Sequence, residues 1–215
     1  MPTVYPAAFC FKGENMKLYS YNISHASDSE LSEWFDAMSS ERKEAVIRLK
    51  VAQKQKLKIA ADHICRKAIS EFCGIDPKKI EFFLSEHGKP FAKGLDVNFS
   101  ISHSGDYVVC AVSKKEIGVD VEKIRKISPD ISKRFACKNE LEYIKAHENG
   151  FFEIWTLKEA YFKCTGTGLG ADIKDVCFEI TRNGVSCSEN NFDCSFYEID
   201  KEYICAVCKR FDYTP

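Results

Sequence analysis

The run Gly118-Val119-Asp120-Val121-Glu122 sets two carboxylates two positions apart. On a strand, alternate side chains share a face. Ile117, Val119 and Val121 then point to a core, and Gly118, Asp120 and Glu122 point together to the other side. Neighbouring carboxylates raise each other's pKa unless a cation joins them. Hard oxygen ligands with no Cys or His in the motif favour magnesium, with manganese as the alternative, over zinc. Gly118 reads as room for a ligand to approach. From this motif alone, a solvated edge strand carrying two surface acids is an equal reading.

A second run, Trp155-Thr-Leu-Lys158-Glu159-Ala-Tyr-Phe-Lys163, stacks Trp155, Glu159 and Lys163 on one helical face. A surface Glu–Lys pair is the ordinary meaning of such spacing. The same helix, however, carries Phe151, Phe152, Ile154, Leu157, Tyr161 and Phe162. It is apolar nearly all round and so is expected to be buried, where Lys158, Glu159 and Lys163 need partners. A metal for Glu159 and an anion for the lysines would supply them. Glu159 could complete a three-carboxylate site with Asp120 and Glu122.

A third run, Ser100-Ile-Ser102-His103-Ser104-Gly105-Asp106, places an imidazole in a hydroxyl-rich turn able to donate to phosphate oxygens. A plain turn histidine is the alternative. There is no G-x-S-x-G elbow, which disfavours a Ser–His hydrolase. Gly88-Lys89-Pro90 holds a lysine in a rigid turn. Lys54, Lys56, Lys58 and Arg66 lie along an early helix, each read singly as a solvated charge. Gly166, Gly168 and Gly170 follow a helix rather than a strand, which is the wrong context for a dinucleotide fingerprint.

The elements that must position these groups follow from periodicity. Lys17–Ile23 is expected to be a strand and residues 29–38 a short helix. A helical region runs from Ser40 to about Phe72, stopped by Gly74 and Pro77. Strands are expected over residues 80–85, 97–102, 107–112 and 117–122. Helices follow at about 128–147, with a break near Cys137, and at 151–164. Three strands fill 172–211. Ile80, Phe82, Gly88 and Tyr107 recur at a constant offset as Val176, Phe178, Gly184 and Tyr203. This repeat predicts an α+β fold of two similar halves, each an antiparallel sheet packed with helices, related by a pseudo-twofold axis with a ligand cleft between them. The expected layout is an extension over residues 1–15, a first half over 16–114 and a second over 115–215.

Hydrophobic residues make up 45% of the 215 and charged residues 29%, which is a globular balance. A formal net charge of −1 gives no field that would draw nucleic acid or a membrane surface. No apolar run approaches the ~20 residues of a membrane span. The apolar stretch Val4–Phe11 is short, holds Pro6 and lacks a basic leader, so it does not read as a signal peptide. A cytoplasmic location is therefore expected. The 11 cysteines then read as reduced core thiols, with neither structural zinc nor a full disulfide framework.

Taken together, the chain resembles the 4′-phosphopantetheinyl transferase superfamily, in its two-domain, pseudodimeric (Sfp-like) class. The resemblance rests on Gly88-Lys89-Pro90, on Asn98-Phe-Ser-Ile-Ser102-His103-Ser104, on Gly118-Val-Asp120-Val-Glu122 and on Trp155-x-x-Lys158-Glu159-Ala-x-x-Lys163-x-x-Gly166-x-Gly168, from about Met16 to Val207. It implies transfer of the phosphopantetheine arm of coenzyme A to a serine of an apo carrier protein, with release of adenosine 3′,5′-bisphosphate. It further implies that Asp120, Glu122 and Glu159 hold magnesium and that Glu159 helps deprotonate the serine. Lys163 would stabilise the transferring phosphate, Lys158 and His103 would contact donor phosphates, and Lys89 and Ser102 would sit near the nucleotide end. Arg42 and Lys58 are the candidates for the 3′-phosphate, and Glu140 matches an acidic position near the metal. A monomer is expected, because duplication already supplies the cleft. The carrier is expected to dock around residues 128–150.

Overall fold

A computed structural model of the chain describes residues 10–13, 16–85 and 88–211. The first half contains β1 (Cys10–Gly13), β2 (Met16–Asn22), α1 (Asp28–Ala37), α2 (Ser40–Ile47), α3 (Ala52–Cys73), β3 (Phe82–Leu84), β4 (Pro90–Ala92), β5 (Asn98–Ser104) and β6 (Tyr107–Ser113). The second contains β7 (Ile117–Lys123), α4 (Lys138–Ala146), α5 (Gly150–Thr165), β8 (Phe178–Thr181), β9 (Gly184–Cys187), β10 (Phe192–Phe196) and β11 (Tyr203–Arg210). All pairings are antiparallel.

The strand order β2-β6-β5 in one sheet is repeated as β7-β11-β10 in the other. Two helices follow the first strand of each set, and a small hairpin, β3-β4 or β8-β9, follows the helices. The fold is α+β with two similar halves, as the repeat predicts. The first half adds α1, whose Ser27 and Glu30 form a reciprocal cap, and β1, which pairs with β2. The sheet thus starts before Met16.

The helices end where glycine allows a left-handed cap: α3 at Gly74 (φ 70°) and α5 at Gly166 (φ 73°). The single helical region expected from Ser40 to Phe72 is two helices. Val51 is extended and the Gln55 side chain binds the Leu49 carbonyl, which turns the chain between them. The second half ends in four strands rather than three, because β9 and β10 are separated by a tight connection in which Asn191 takes a positive φ of 73°.

Each half has its own core, and a third apolar cluster joins them. Leu18, Val109 and Ala111 of one sheet meet Val119, Val121 and Val207 of the other there. Along the same seam, alternate serines of β5 reach across to β7. Ser100 Oγ accepts from Val119 N at 3.0 Å, Ser102 Oγ donates to Asp120 Oδ1 at 2.6 Å, and Ser104 Oγ accepts from Lys123 N at 3.1 Å. Side-chain hydroxyls thus bridge the two sheets at this point. The expectation that every cysteine is reduced does not hold at one position: Cys194 and Cys208 face each other across β10–β11 and are joined as a disulfide.

Candidate active site

The seam that unites the halves also assembles the polar centre. Asp120 and Glu122 stand on β7, Ser102, His103 and Ser104 on β5, and Trp155, Glu159 and Lys163 on one face of α5. Gly118 decides how closely α5 can lie on β7. Its missing Cβ would fall on the Ala160 carbonyl and the Cys164 amide of α5. The room at Gly118 is therefore taken by a helix, not by a ligand, and this corrects the reading of that glycine.

Asp120 is buried. Its Oδ1 accepts from Lys163 Nζ at 2.6 Å as well as from Ser102, and Lys163 also donates to Ser102 Oγ at 2.9 Å. Its Oδ2 is buried with no hydrogen-bond partner. Burial raises the Asp120 pKa, against the opposing pull of Lys163 and Ser102, and Glu122 adds to the rise. Glu122 is gripped on both oxygens: Trp155 Nε1 donates to Oε1 at 3.2 Å, and Ser104 Oγ and Arg125 donate to Oε2 at 3.0 and 2.9 Å. Glu159 is half-buried and makes no hydrogen bond or ion pair among the described residues. Burial first, then Asp120 and Glu122, push its pKa up to about 7, despite Lys163.

A cavity of about 320 Å³ opens beside this centre, lined by Lys89, Pro90, Phe99, Ile101, Glu159 and Lys163 among others. Lys89 crosses from the first half to donate to the Cys164 carbonyl at the C-terminal end of α5, at 2.8 Å. Burial lowers its pKa. His103 is exposed at the end of β5. Local desolvation and then the Lys163 ammonium hold its imidazole below the usual histidine range, so it is neutral at pH 7.

The remaining candidates lie elsewhere. Lys158 is fully buried on the opposite face of α5, paired with Glu140 at 2.9 Å and donating to the Ile173 and Val176 carbonyls at 2.9 and 2.5 Å. A phosphate contact for Lys158 is thereby corrected, because its three donors are already used inside the core. The same holds for Glu140 as an acid near the metal. Its carboxylate takes Lys158, the Cys137 amide and the Phe178 amide. Cys137 and Cys177 bring their sulfurs within 4.8 Å of that carboxylate, but the carboxylate is already neutralised by the Lys158 ammonium. Arg42 is ion-paired with buried Asp62, which also takes Arg66 at 2.7 Å, and both guanidinium groups lie over the Phe82 ring. Lys58 is half-exposed on α3, with no ion pair among the described residues. Ser104 lies in the hydroxyl-rich run, though not as a partner of Glu122, and Arg125 lies outside every candidate run. The period-2 spacing of Ser100, Ser102 and Ser104 was the signal for the first, and nothing in the sequence marked the second.

A duplicated α+β chain with three carboxylates, an ammonium and a hydroxyl at the seam of its halves has the layout of a two-domain transferase that handles anionic donors. Residues 116–208 match the 4′-phosphopantetheinyl transferase superfamily, and residues 25–115 match the 4′-phosphopantetheinyl transferase N-terminal family. The chain is 32% identical to a 4′-phosphopantetheinyl transferase of Bacillus subtilis, over 90% of this chain and 92% of that relative. It is 31% identical to the 4′-phosphopantetheinyl transferase gsp of Aneurinibacillus migulanus, over 81% of this chain and 77% of the relative. A mouse L-aminoadipate-semialdehyde dehydrogenase-phosphopantetheinyl transferase is 31% identical, over 70% of this chain and 56% of its own length. The chain belongs to the 4′-phosphopantetheinyl transferase superfamily.

Proposed function

We propose that this chain moves the 4′-phosphopantetheine group from coenzyme A to a serine of an apo carrier protein, with magnesium (or manganese) and with adenosine 3′,5′-bisphosphate as the second product. The observation that carries the reading is the meeting of Asp120, Glu122, Glu159 and Lys163 at the seam, in a chain of this family. The donor chemistry suits a divalent cation, and the three carboxylates would have to draw together around it, since among the described residues their oxygens do not all lie within 4.8 Å of one another. Asp120 Oδ2 is a buried acceptor with no donor, and the Glu159 carboxylate is equally unpartnered. Asp120, Glu122 and Glu159 would hold the ion, which when bound neutralises charge on the donor's diphosphate.

Transfer of this kind depends on positioning and charge neutralisation more than on covalent help. Lys163 sits on the Asp120 carboxylate and lines the cavity, as Lys89 does, so its ammonium would be placed to follow charge onto the transferring phosphate. Glu159 lines the cavity with no hydrogen-bond partner among the described residues and would be the group placed to accept the proton of the acceptor hydroxyl. Lys89 and Ser102 flank the cavity region, His103 offers a neutral donor, and Lys58 is the better of the two candidates for the 3′-phosphate because Arg42 is held by Asp62.

The rest of the proposal is coarser. The two halves meet between residues 114 and 115, with β1 added to the outer edge of the first, and a single chain provides the whole cleft, which supports a monomer. A cytoplasmic location and the absence of membrane or nucleic-acid partners rest on the net charge of −1, and among the described residues no helix is long and apolar enough to cross a membrane. The test is to incubate the chain with coenzyme A, magnesium and several apo carriers. Mass spectrometry should show one serine gaining the phosphopantetheine arm; no gain on any carrier, with a competent enzyme as positive control, would overturn the reading.

A further inference from the structure

Glu122 is the one carboxylate of the centre that already carries a guanidinium. Arg125 NH1 lies 2.9 Å from Glu122 Oε2 and 3.1 Å from the Lys123 carbonyl, and the guanidinium carbon stands 5.5 Å over the Phe152 ring of α5. The Arg125 side chain is 55% exposed while that of Glu122 is 18% exposed, so the partner that can leave is the arginine. Trp155 and Ser104 fix the carboxylate from its other sides. On the other acid, Lys163 takes Asp120 Oδ1. Two built-in cations thus offset two of the three carboxylates, and the acceptors that stay open are Asp120 Oδ2 and Glu159.

We propose that Arg125 is a positioning residue that occupies Glu122 while no divalent cation is bound, competes with that cation for Oε2, and yields when the ion arrives together with the donor's diphosphate. The inference rests on the cation site proposed above. A guanidinium beside a carboxylate lowers the local negative potential that draws a cation and uses an oxygen lone pair the cation needs. The extra negative charge of a diphosphate restores the balance, so ion and donor load cooperatively. The Lys123 carbonyl and the Phe152 ring give the displaced guanidinium somewhere to remain, which keeps its release a short swing.

The test measures manganese binding by the full chain without donor, counting free ion by electron paramagnetic resonance. Arg125→Met should bind Mn²⁺ about threefold to fivefold more tightly than the parent, the scale of a competing, partly exposed ion pair. Arg125→Lys, which keeps a charge, should stay nearer the parent. Equal or weaker binding by Arg125→Met overturns the inference. Asp120→Asn separates it from the reading beneath it. If that variant binds Mn²⁺ as the parent does, the ion sits elsewhere and the cation site falls, Arg125 with it. If Asp120→Asn loses the ion while Arg125→Met matches the parent, only the role of Arg125 falls.

Discussion

Gly118 of β7 lies directly against the Ala160 carbonyl of α5, so closely that a single methyl group on Gly118 would overlap it. This contact sets the distance between the strand that bears Asp120 and Glu122 and the helix that bears Glu159 and Lys163. Gly118→Ala should push α5 away from β7. Overpacking of this kind costs about 1–3 kcal/mol or more when the obstacle is backbone. The expected outcome is a lower urea midpoint together with a loss of turnover larger than the loss of stability explains. A variant that unfolds and turns over like the parent would show that the helix is not held at this distance.

Much of this arrangement was legible in the sequence. Alternation over Ile117–Glu122 put Asp120 and Glu122 on one face, and helical spacing put Trp155, Glu159 and Lys163 on another; the structure joins the two faces. The repeated Ile80/Phe82 and Val176/Phe178 pairs announced the duplication, and the two sheets have the same strand order. The place of Lys158 is not legible, because one-dimensional spacing cannot tell two buried faces of an apolar helix apart. It sits next to Glu159 in sequence yet points to the core, where Glu140 waits 18 positions upstream. The helix against Gly118 is not legible either, because a glycine in a sequence does not say which element lies against it. The break before α3 is hidden in the sequence, because Val51 carries no glycine or proline signal.

The buried pair Lys158–Glu140 has a counterpart of opposite sense in the first half, where Asp62 on the long helix α3 takes Arg42 of α2. In each half the ion pair ties the longest helix to the one before it, α3 to α2 and α5 to α4. Removing one partner leaves an uncompensated buried charge, at a cost of about 3–5 kcal/mol. Lys158→Met should therefore unfold at markedly lower denaturant than the parent, and the double variant Lys158→Met/Glu140→Gln should recover part of the loss. Lys163→Met takes the ammonium from buried Asp120 and should also lower the midpoint of the metal-free chain, though by less because Lys163 is itself partly exposed, and it should lose turnover. A severe stability loss in Lys163→Met and none in Lys158→Met would reverse the assignment of structural and chemical roles.

Glu159 gives the pH dependence a defined sign. Its folded pKa of about 7 lies above the ordinary value of 4.5, because burial and the neighbouring acids disfavour its charged form. The folded chain therefore holds this proton more tightly than the unfolded chain does. Its contribution to stability is intact below about pH 4.5 and is lost as pH rises toward 7. Glu159→Gln removes that loss. The metal-free variant should match the parent in acid and exceed it at pH 8 by on the order of 1 kcal/mol, discounted for the solvent that reaches this half-buried group. Thermal melts across pH 4–8 in chelator measure this, and parallel curves for the two proteins would contradict the raised pKa. At the same time Glu159→Gln should abolish transfer.

Among the described residues the strand β1 pairs with β2 alone, at the far edge of the sheet β1-β2-β6-β5, whereas the polar centre is built on β5, β7 and α5. Deleting residues 1–15 removes that edge and leaves β2 bonded to β6 over its whole length. Leu18 and Tyr19 of β2 keep their buried places, because their packing partners lie on α3, β6 and the other half. The truncated chain should retain activity within about twofold and melt lower, by roughly 2–4 °C for each kcal/mol that the lost edge pairing supplied. It should also self-associate more readily, since the newly exposed edge of β2 can pair with another chain. Sedimentation and a turnover assay on the same preparation separate these effects. Complete loss of activity in a monomeric, folded truncation would show that the segment reaches the chemistry by a route other than β2.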